Sequence, residues 1–304
     1  MRHIFIINPT AGKTNAAEEL RQQMHNLKTE DAVEIFITHG AGDAKHIAEK
    51  EASAGDEVRI YACGGDGTAN EVLEGIAGYK NCALGIIPLG SGNDFIKALE
   101  PFKKEDFLCL QNMIEGTEKT IDIMECGGKY SMNVFSVGFD AAVAKNVDKF
   151  KKLPFVSGSL AYKLSIVYCI FTKRKHKVKI YIDGKAFEKA DYNKTTLLAV
   201  GGNGQYYGGG FKAAPKAELS DGYIDFIHCG TLSVLKFALI VGKYKKGEHI
   251  NNPKLPFISF ERCKSIGFEA ETPIDINVDG EIYSAQNPVL RICEGALRII
   301  LPKK

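Results

Sequence analysis

No CxxC pair, no excess of one charge sign, no apolar run of bilayer length and no low-complexity tract occurs in this sequence of 304 residues. Each absence removes a class of protein. The eight cysteines (Cys63, Cys82, Cys109, Cys126, Cys169, Cys229, Cys263 and Cys293) are scattered, several of them within apolar runs. Zinc and disulfide frameworks are therefore not indicated, and a reducing cytosol is the expected compartment. The 39 basic and 37 acidic side chains nearly cancel, so there is no global field to collect nucleic acid, and none is expected as a partner. A spanning helix needs about 20 apolar residues, more than any run here offers. The first eight residues read as an apolar strand entering a turn rather than as a signal peptide, and the Asn193-Lys194-Thr195 sequon is then coincidental.

What is present can build a core: 45% of the residues are hydrophobic and 25% charged, at a length that favours two domains over one. Residues 3–7 are an apolar run closed by Asn8-Pro9-Thr10-Ala11-Gly12, after which Ala16, Leu20, Met24 and Leu27 recur at helical spacing. The pattern repeats. Residues 33–37 are strand-like, Asp43 opens an alanine-rich helix ending near Gly55, and 58–62 are strand-like again. Residues 68–76 are expected as a helix, 83–87 as a buried strand and 93–99 as a further helix. Such alternation predicts an α/β domain with a parallel sheet covered on both faces. Beyond about Thr120 the texture turns β-rich, with Gly127-Gly128, Asp183-Gly184 and Asp279-Gly280 as hairpin turns and one helical insertion near 232–245. The expected division is 1–123 plus about 290–304, where the last strand returns, and a mostly antiparallel second domain over 124–289.

Three glycine-bearing turns, at 8–12, 64–68 and 90–93, each follow a predicted parallel strand. In open parallel sheets the carboxyl ends of the strands form the ligand crevice, so the three should line one site. Glycine lets backbone amides approach phosphate oxygens, the following helix N-terminus adds partial positive charge, and Lys13 stands ready to add a cation. Any one such turn is an ordinary connection. Asp66 alters the reading of Gly64-Gly65-Asp66-Gly67-Thr68, because a carboxylate in a phosphate-seeking turn repels its ligand unless a magnesium ion or a ligand hydroxyl mediates. Asn70 and Glu71 either cap the helix that follows or face a nucleotide. Asp122 is a carboxylate inside an apolar strand, which is costly unless it is paired or serves a metal. Lys97 reads as an exposed helical lysine, with pairing to a nearby carboxylate as the alternative.

Taken in order and spacing, these turns resemble the diacylglycerol kinase catalytic family and its bacterial lipid-kinase relatives. The likeness also covers Pro88-Leu89-Gly90-Ser91-Gly92-Asn93-Asp94-Phe95, Ser136-Val137-Gly138-Phe139-Asp140, Leu219-Ser220-Asp221-Gly222-Tyr223 and Val278-Asp279-Gly280-Glu281. The 64–68 turn alone is shared with NAD kinases. The resemblance implies an NAD-kinase-like first domain and a β-sandwich second domain. It also implies ATP contacts by Asn8, Pro9, Thr10, Ala11, Gly12, Lys13, Thr38, Gly64, Gly65, Gly67, Thr68, Ala69, Asn70, Glu71 and Ser91. Glu281 is implied as the general base acting with Asp66. A structural Mg2+ is implied at the Asp221 carboxylate and the main-chain carbonyls of Glu218 and Tyr223, with Asp122 in its network. Asp94 and Asp140 match acidic positions near the family's active site. Phosphoryl transfer needs positioning and charge neutralisation, for which this set is chemically apt. Ser91-Gly92 stand where many relatives carry threonine or alanine.

The implied function is transfer of the ATP γ-phosphate to a lipid hydroxyl, diacylglycerol foremost, giving phosphatidic acid. An NAD-kinase-like enzyme and a non-catalytic nucleotide- or lipid-binding regulator are the alternatives. The lipid would be met at a membrane surface by a cytoplasmic, peripherally associated protein, with a homodimer as one option for assembly. Lys173-Arg174-Lys175-His176-Lys177, after the apolar run 164–171, and Phe150-Lys151-Lys152-Leu153 place charge beside apolar surface, as docking on anionic lipid requires. The same runs, with 235–241, equally suit an ordinary core and a solvated loop.

Overall fold

Four short runs rich in Ile, Val, Tyr and Cys, each bounded by turn residues, form β1 (Arg2–Ile7), β2 (Ala32–Ile37), β3 (Val58–Gly64) and β4 (Cys82–Pro88). Between them lie α1 (Ala16–His25), α2 (Asp43–Ser53) and α3 (Asp66–Ile76). The structure is a computed structural model that describes all residues except 13–15, 91–92, 154–155, 157 and 191–193. It divides into one unit of residues 1–123, 219–221 and 293–304 and a second of 124–218 and 222–292.

In the first unit the strands pair in parallel in the order β2-β1-β3-β4, and the chain's last strand joins β4 through Arg298↔Ala83 and Ile299↔Leu84. β1, β3 and β4 are buried almost end to end, as a parallel sheet covered on both faces requires. Gly85 makes room inside it. A Cβ there would lie 2.3 Å from Cδ1 of Tyr61, whose ring stacks on Phe5 at 4.4 Å and whose hydroxyl meets His3 Nδ1 at 2.9 Å.

Two expected boundaries move. α3 starts at Asp66 rather than Thr68, which puts that carboxylate in the first turn, where the helix dipole favours negative charge. The helix expected over 93–99 is only a 3-10 turn, Phe95–Ala98, because Asn93 takes a left-handed φ of 48° and the chain soon reaches Pro101. Short helices α4 (Lys104–Phe107) and α5 (Leu110–Ile114) follow, and then β5 (Thr117–Cys126) carries the chain into the second unit.

The second unit contains β6 (Lys129–Ser131), β7 (Val134–Gly138), α6 (Phe139–Lys151), α7 (Gly158–Thr172), β8 (Lys179–Ile182) and β9 (Lys185–Ala186). It continues with β10 (Thr196–Gly202), β11 (Ile224–Gly230), α8 (Val234–Lys246), β12 (Ile258–Cys263) and β13 (Ser265–Glu269). It closes with β14 (Ile274–Val278), β15 (Glu281–Ala285) and the start of β16 (Val289–Leu301). An antiparallel sheet runs β12-β11-β10-β7-β14-β15, and β13 pairs antiparallel with both β8 and β16. Side-chain alternation then builds two cores. Phe135, Val137, Ala199 and Phe226 pack against Ile180, Ile266, Phe268 and Leu290 of the other layer, which makes the unit a β-sandwich. Val134, Leu198, Val200 and Ile227 face the opposite way, onto Phe139, Val143, Cys169 and Phe237 of the helices.

The three hairpin turns fall where expected, each with positive φ at both central residues. The single helical insertion is a correction: three helices cover one face of the sandwich. α6 and α7 are easy to miss because α7 is apolar all round, so it lacks the one-sided period that marks a surface helix.

Candidate active site

β1, β3 and β4 end side by side, so the turns that follow them meet. Asn8 N donates to Cys63 O (3.0 Å), and Gly90 N donates to Gly64 O (3.1 Å). A Cβ on Gly90 would sit 2.8 Å from Gly65 Cα. The second and third turns thus touch backbone to backbone, a contact only glycine allows. The first turn joins them through Asn8 Nδ2, which donates to Thr68 Oγ1 at 3.3 Å, while Asn8 Oδ1 accepts from Thr10 N and Thr10 Oγ1.

Beside this junction is an open cleft of about 310 Å³, walled by Asn8, Pro9, Thr10, Thr38, Thr68 and Glu71. Gly67, Ala44 and the 39–41 segment complete the wall, and no sequence signal marks the last of these. Ala11 N donates to Asn8 O, and Gly12 has a φ of 85°, so both continue the turn. Ala69 and Asn70 point inward, at 3% and 2% exposure. Lys13 and Ser91 lie outside the described residues. Glu71 caps a helix, but not the one that it opens. Its carboxylate accepts from Gly42 N (2.9 Å) and Ala44 N (3.2 Å), and so caps α2, whose Gly42 N-cap has no side chain to do it.

Asp66 Oδ2 accepts from Asn93 N at 3.0 Å. Burial and the Asp94 carboxylate push the Asp66 pKa up, while the amides of Asn93 and Asp94 and the Lys97 ammonium draw it back. Lys97 is therefore no idle helical lysine: it pairs with Asp94, which is buried. Farther along, Asp122 N donates to Leu219 O and Asp122 Oδ1 accepts from Gly295 N, both at 2.7 Å. The 219–221 segment is thereby tied into the first unit against β5.

In the second unit Glu281 opens β15, exposed and opposite Val278. What fixes it is a residue read from sequence only as a turn former. Asp279 Oδ1 accepts from Ser131 Oγ (2.7 Å) and Val134 N (2.7 Å), and Asp279 Oδ2 accepts from Met132 N (2.9 Å). Asp279 N in turn donates to Val134 O, and Gly280 N donates to Asn277 Oδ1. The signal was a carboxylate at the left-handed position of a turn, where asparagine would serve the backbone equally well.

Comparison with known proteins gives this arrangement its context. The family described as "Diacylglycerol kinase catalytic domain" matches residues 2–126, and the "YegS C-terminal NAD kinase beta sandwich-like domain" matches residues 133–301. The diacylglycerol kinase of Bacillus subtilis (strain 168) is 32% identical over 281 residues, covering 91% of this chain and 88% of that protein. The chain belongs to the diacylglycerol kinase family. A diacylglycerol kinase of Staphylococcus aureus (strain bovine RF122 / ET3-1) is 31% identical over 93% of this chain and 87% of its own length. A crystal structure of a diacylglycerol kinase from Bacillus anthracis str. Sterne shares the fold at a TM-score of 0.72, with 22% identity over 98% of this chain and 96% of that one.

This member of the diacylglycerol kinase family is a kinase whose phosphoryl donor is ATP and whose substrate is a lipid. No helix among its described residues is long and apolar enough to cross a membrane. Its second unit contains a cavity of about 90 Å³ between β10, β11 and the three helices, walled by Phe139, Val143, Ile166, Leu198, Ile227 and Phe237. Polar groups gather at one part of its wall, where Asp140 stands with Tyr207 and Tyr244, whose hydroxyls are 3.3 Å apart. Burial pushes the Asp140 carboxyl up to about 6 and holds both phenols far above their ordinary range.

No group of three or more His, Cys, Asp or Glu side chains among the described residues is placed to hold a metal ion. A cation at 218–223 would therefore rely on main-chain oxygens and water beside Asp221. Such an all-oxygen set suits Mg2+, which keeps several of its waters.

Proposed function

We propose that this kinase transfers the γ-phosphoryl group of ATP to the free hydroxyl of diacylglycerol, giving phosphatidic acid. The carrying observation is the cavity among α6, α7 and α8: its aliphatic and aromatic wall suits a few methylenes of an acyl chain, and its polar corner suits an ester or hydroxyl. A soluble dinucleotide would gain little from such a wall.

In this reading the cleft at Asn8, Thr10, Thr38 and Thr68 takes ATP. The amides of 8–12 and 64–68, with the α3 N-terminus, meet its phosphates. Lys13 and Ser91 are assigned to the same ligand on sequence alone. Glu281 accepts the hydroxyl proton as the substrate oxygen attacks the γ-phosphorus and the bond to the bridging oxygen of ADP breaks; the proton then passes to water. Asp66, its carboxylate held by the Asn93 amide, orients the phosphate side of the site. Mg2+, when bound by the Asp221 carboxylate and the carbonyls of Glu218 and Tyr223, would neutralise negative charge and brace the segment that Asp122 holds.

Docking to a membrane surface supplies the lipid. Leu235 (71% exposed), Leu239 (70%) and Phe171 (69%) are outward residues of α7 and α8, the helices whose inner faces line the cavity. Apolar side chains beside lysines suit an anionic interface. Arg174, expected in the basic cluster, contributes less than its neighbours, because its Nη1 donates to Leu232 O at 2.6 Å.

The test is a panel of diacylglycerol, phosphatidylglycerol, a long-chain base and NAD with labelled ATP and Mg2+, run on the wild type and on Glu281→Gln. Diacylglycerol should be preferred. The variant should lose on the order of 10²- to 10⁴-fold in turnover while binding ATP nearly as before. Turnover of NAD over every lipid, or near-normal turnover by Glu281→Gln, would refute the reading.

A further inference from the structure

A second concavity of the second unit has the opposite character to the cavity. It is a groove of about 630 Å³ between α6, the end of α7, the 175–178 segment and the 270–275 segment that leads into β14. Five lysines from two stretches of the sequence converge on it: Lys145 and Lys149 from α6, and Lys173, Lys175 and Lys177 from the run just past α7. Among the described residues two carboxylates, Glu271 and Asp275, line the same groove. Lys145 is spent on Asp275, at 2.7 Å and 2.8 Å to its two oxygens. The other four lysines are exposed, and among the described residues none of them makes an ion pair.

The lysine segment is held in place rather than free in solvent. His176 N and O exchange hydrogen bonds of 2.9 Å with Thr196, its ring Nε2 donates to Lys173 O at 2.9 Å, and Arg174 is turned away onto Leu232. Burial lowers the His176 pKa, so at neutral pH its ring acts as a neutral fixture. Complementing helix ends accounts for part of this charge, since α6 closes on Lys149 and α7 leads into Lys173. Each helix C-terminus carries only about half a charge, however, and Lys175 and Lys177 belong to no helix. Converging like charges repel one another. A groove that gathers them across separate segments gains when an anion collects among them.

We infer that this groove is a binding site for a phosphate-bearing anion, distinct from the nucleotide cleft of the first unit. Tyr168, Thr172, Pro273 and Ile274 give it a partly apolar flank. The ligand is thus a phosphate ester with an organic body, either the headgroup of an anionic phospholipid or a free phosphate ester. The site is independent of which lipid is phosphorylated.

The test uses the full chain with its nucleotide site filled by a non-hydrolysable ATP analogue. One arm titrates glycerol 3-phosphate; the other measures partition onto vesicles of phosphatidylcholine with and without one-third phosphatidylglycerol. Both compare the wild type with Lys149→Gln/Lys175→Gln/Lys177→Gln. At roughly fivefold per lysine near an anionic surface, the variant should lose on the order of tenfold to hundredfold. A loss confined to the phosphatidylglycerol-dependent partition assigns the site to a headgroup. A loss of glycerol 3-phosphate binding assigns it to a free ester. Either outcome supports the site, and a variant matching the wild type on both probes overturns it. Asp275→Asn, which releases Lys145, should move binding the other way, by about two- to threefold; weaker binding there would also count against the site. Failure of general membrane docking looks different, since Leu235→Ser/Leu239→Ser should lower partition on both vesicle types.

Discussion

Replacing Asp279 tests how Glu281 is held. Its carboxylate accepts three hydrogen bonds, from Ser131 Oγ, Met132 N and Val134 N, at 2.7–2.9 Å. Bonds to an ionised group contribute about 1.5–3 kcal/mol each, and a buried donor left without its acceptor costs about 1–3 kcal/mol. Asp279 is only half-buried, so water replaces part of what is lost. The expected loss for Asp279→Gly is then about 3 kcal/mol rather than the sum. Glycine is the informative substitution because the native φ is 48°, which any side chain but Asn or Asp resists. Asp279→Asn keeps the turn and one acceptor oxygen and should lose only about 1 kcal/mol. The assay is amide hydrogen exchange at Met132 and Val134. At 1.4 kcal/mol per decade, Asp279→Gly should speed it by about a hundredfold and Asp279→Asn by about fivefold. Turnover should fall in the same order, with ATP affinity within about twofold of wild type. Exchange within about threefold of wild type in the glycine variant would refute the anchoring role, as would equal turnover in all three proteins.

Three further outcomes follow from the geometry. Gly90→Ala puts a methyl group 2.8 Å from Gly65 Cα; it should weaken ATP binding at least tenfold in a titration at a stability loss of about 1–3 kcal/mol, and unaltered affinity would show that the two turns need not touch. Burial raises the Asp140 carboxyl to about 6, above its unfolded value of about 3.9, so the folded state binds that proton more tightly. The contribution to stability is complete below about pH 4 and declines until about pH 6. Denaturant midpoints at pH 4.5 and 7.5 should therefore converge in Asp140→Asn, and an unchanged gap between them would remove the assignment. Asp221→Ala should abolish any Mg2+-dependent rise in melting temperature, and a variant that still responds fully would place the ion elsewhere.

Much of the α/β unit was legible because its physics is local. Short apolar runs closed by glycine turns can hardly be anything but buried parallel strands, and turn pairs such as Asp183-Gly184 carry their positive φ values in their own chemistry. The three glycine turns could likewise be grouped from sequence, since neighbouring parallel strands bring their ends together. Tertiary structure decided what depends on partners distant in sequence. Glu71 caps α2 because α2 begins with a glycine that cannot cap itself, and Lys97 pairs with Asp94 because a 3-10 turn sets them three apart on one side. Asp279 grips a segment nearly 150 residues earlier, with bonds spanning |i−j| of 145 to 148. α7 eluded periodicity because one of its faces meets the cavity while the other stays apolar and outward. The groove lysines come from two separate stretches, α6 and the 173–177 run, which become neighbours only in the folded unit. Composition and spacing therefore determined the strands, the turns and the convergence of the three glycine turns. Which carboxylates brace the backbone was decided by packing, since a charged side chain takes its partners from what lies within about 3 Å of it.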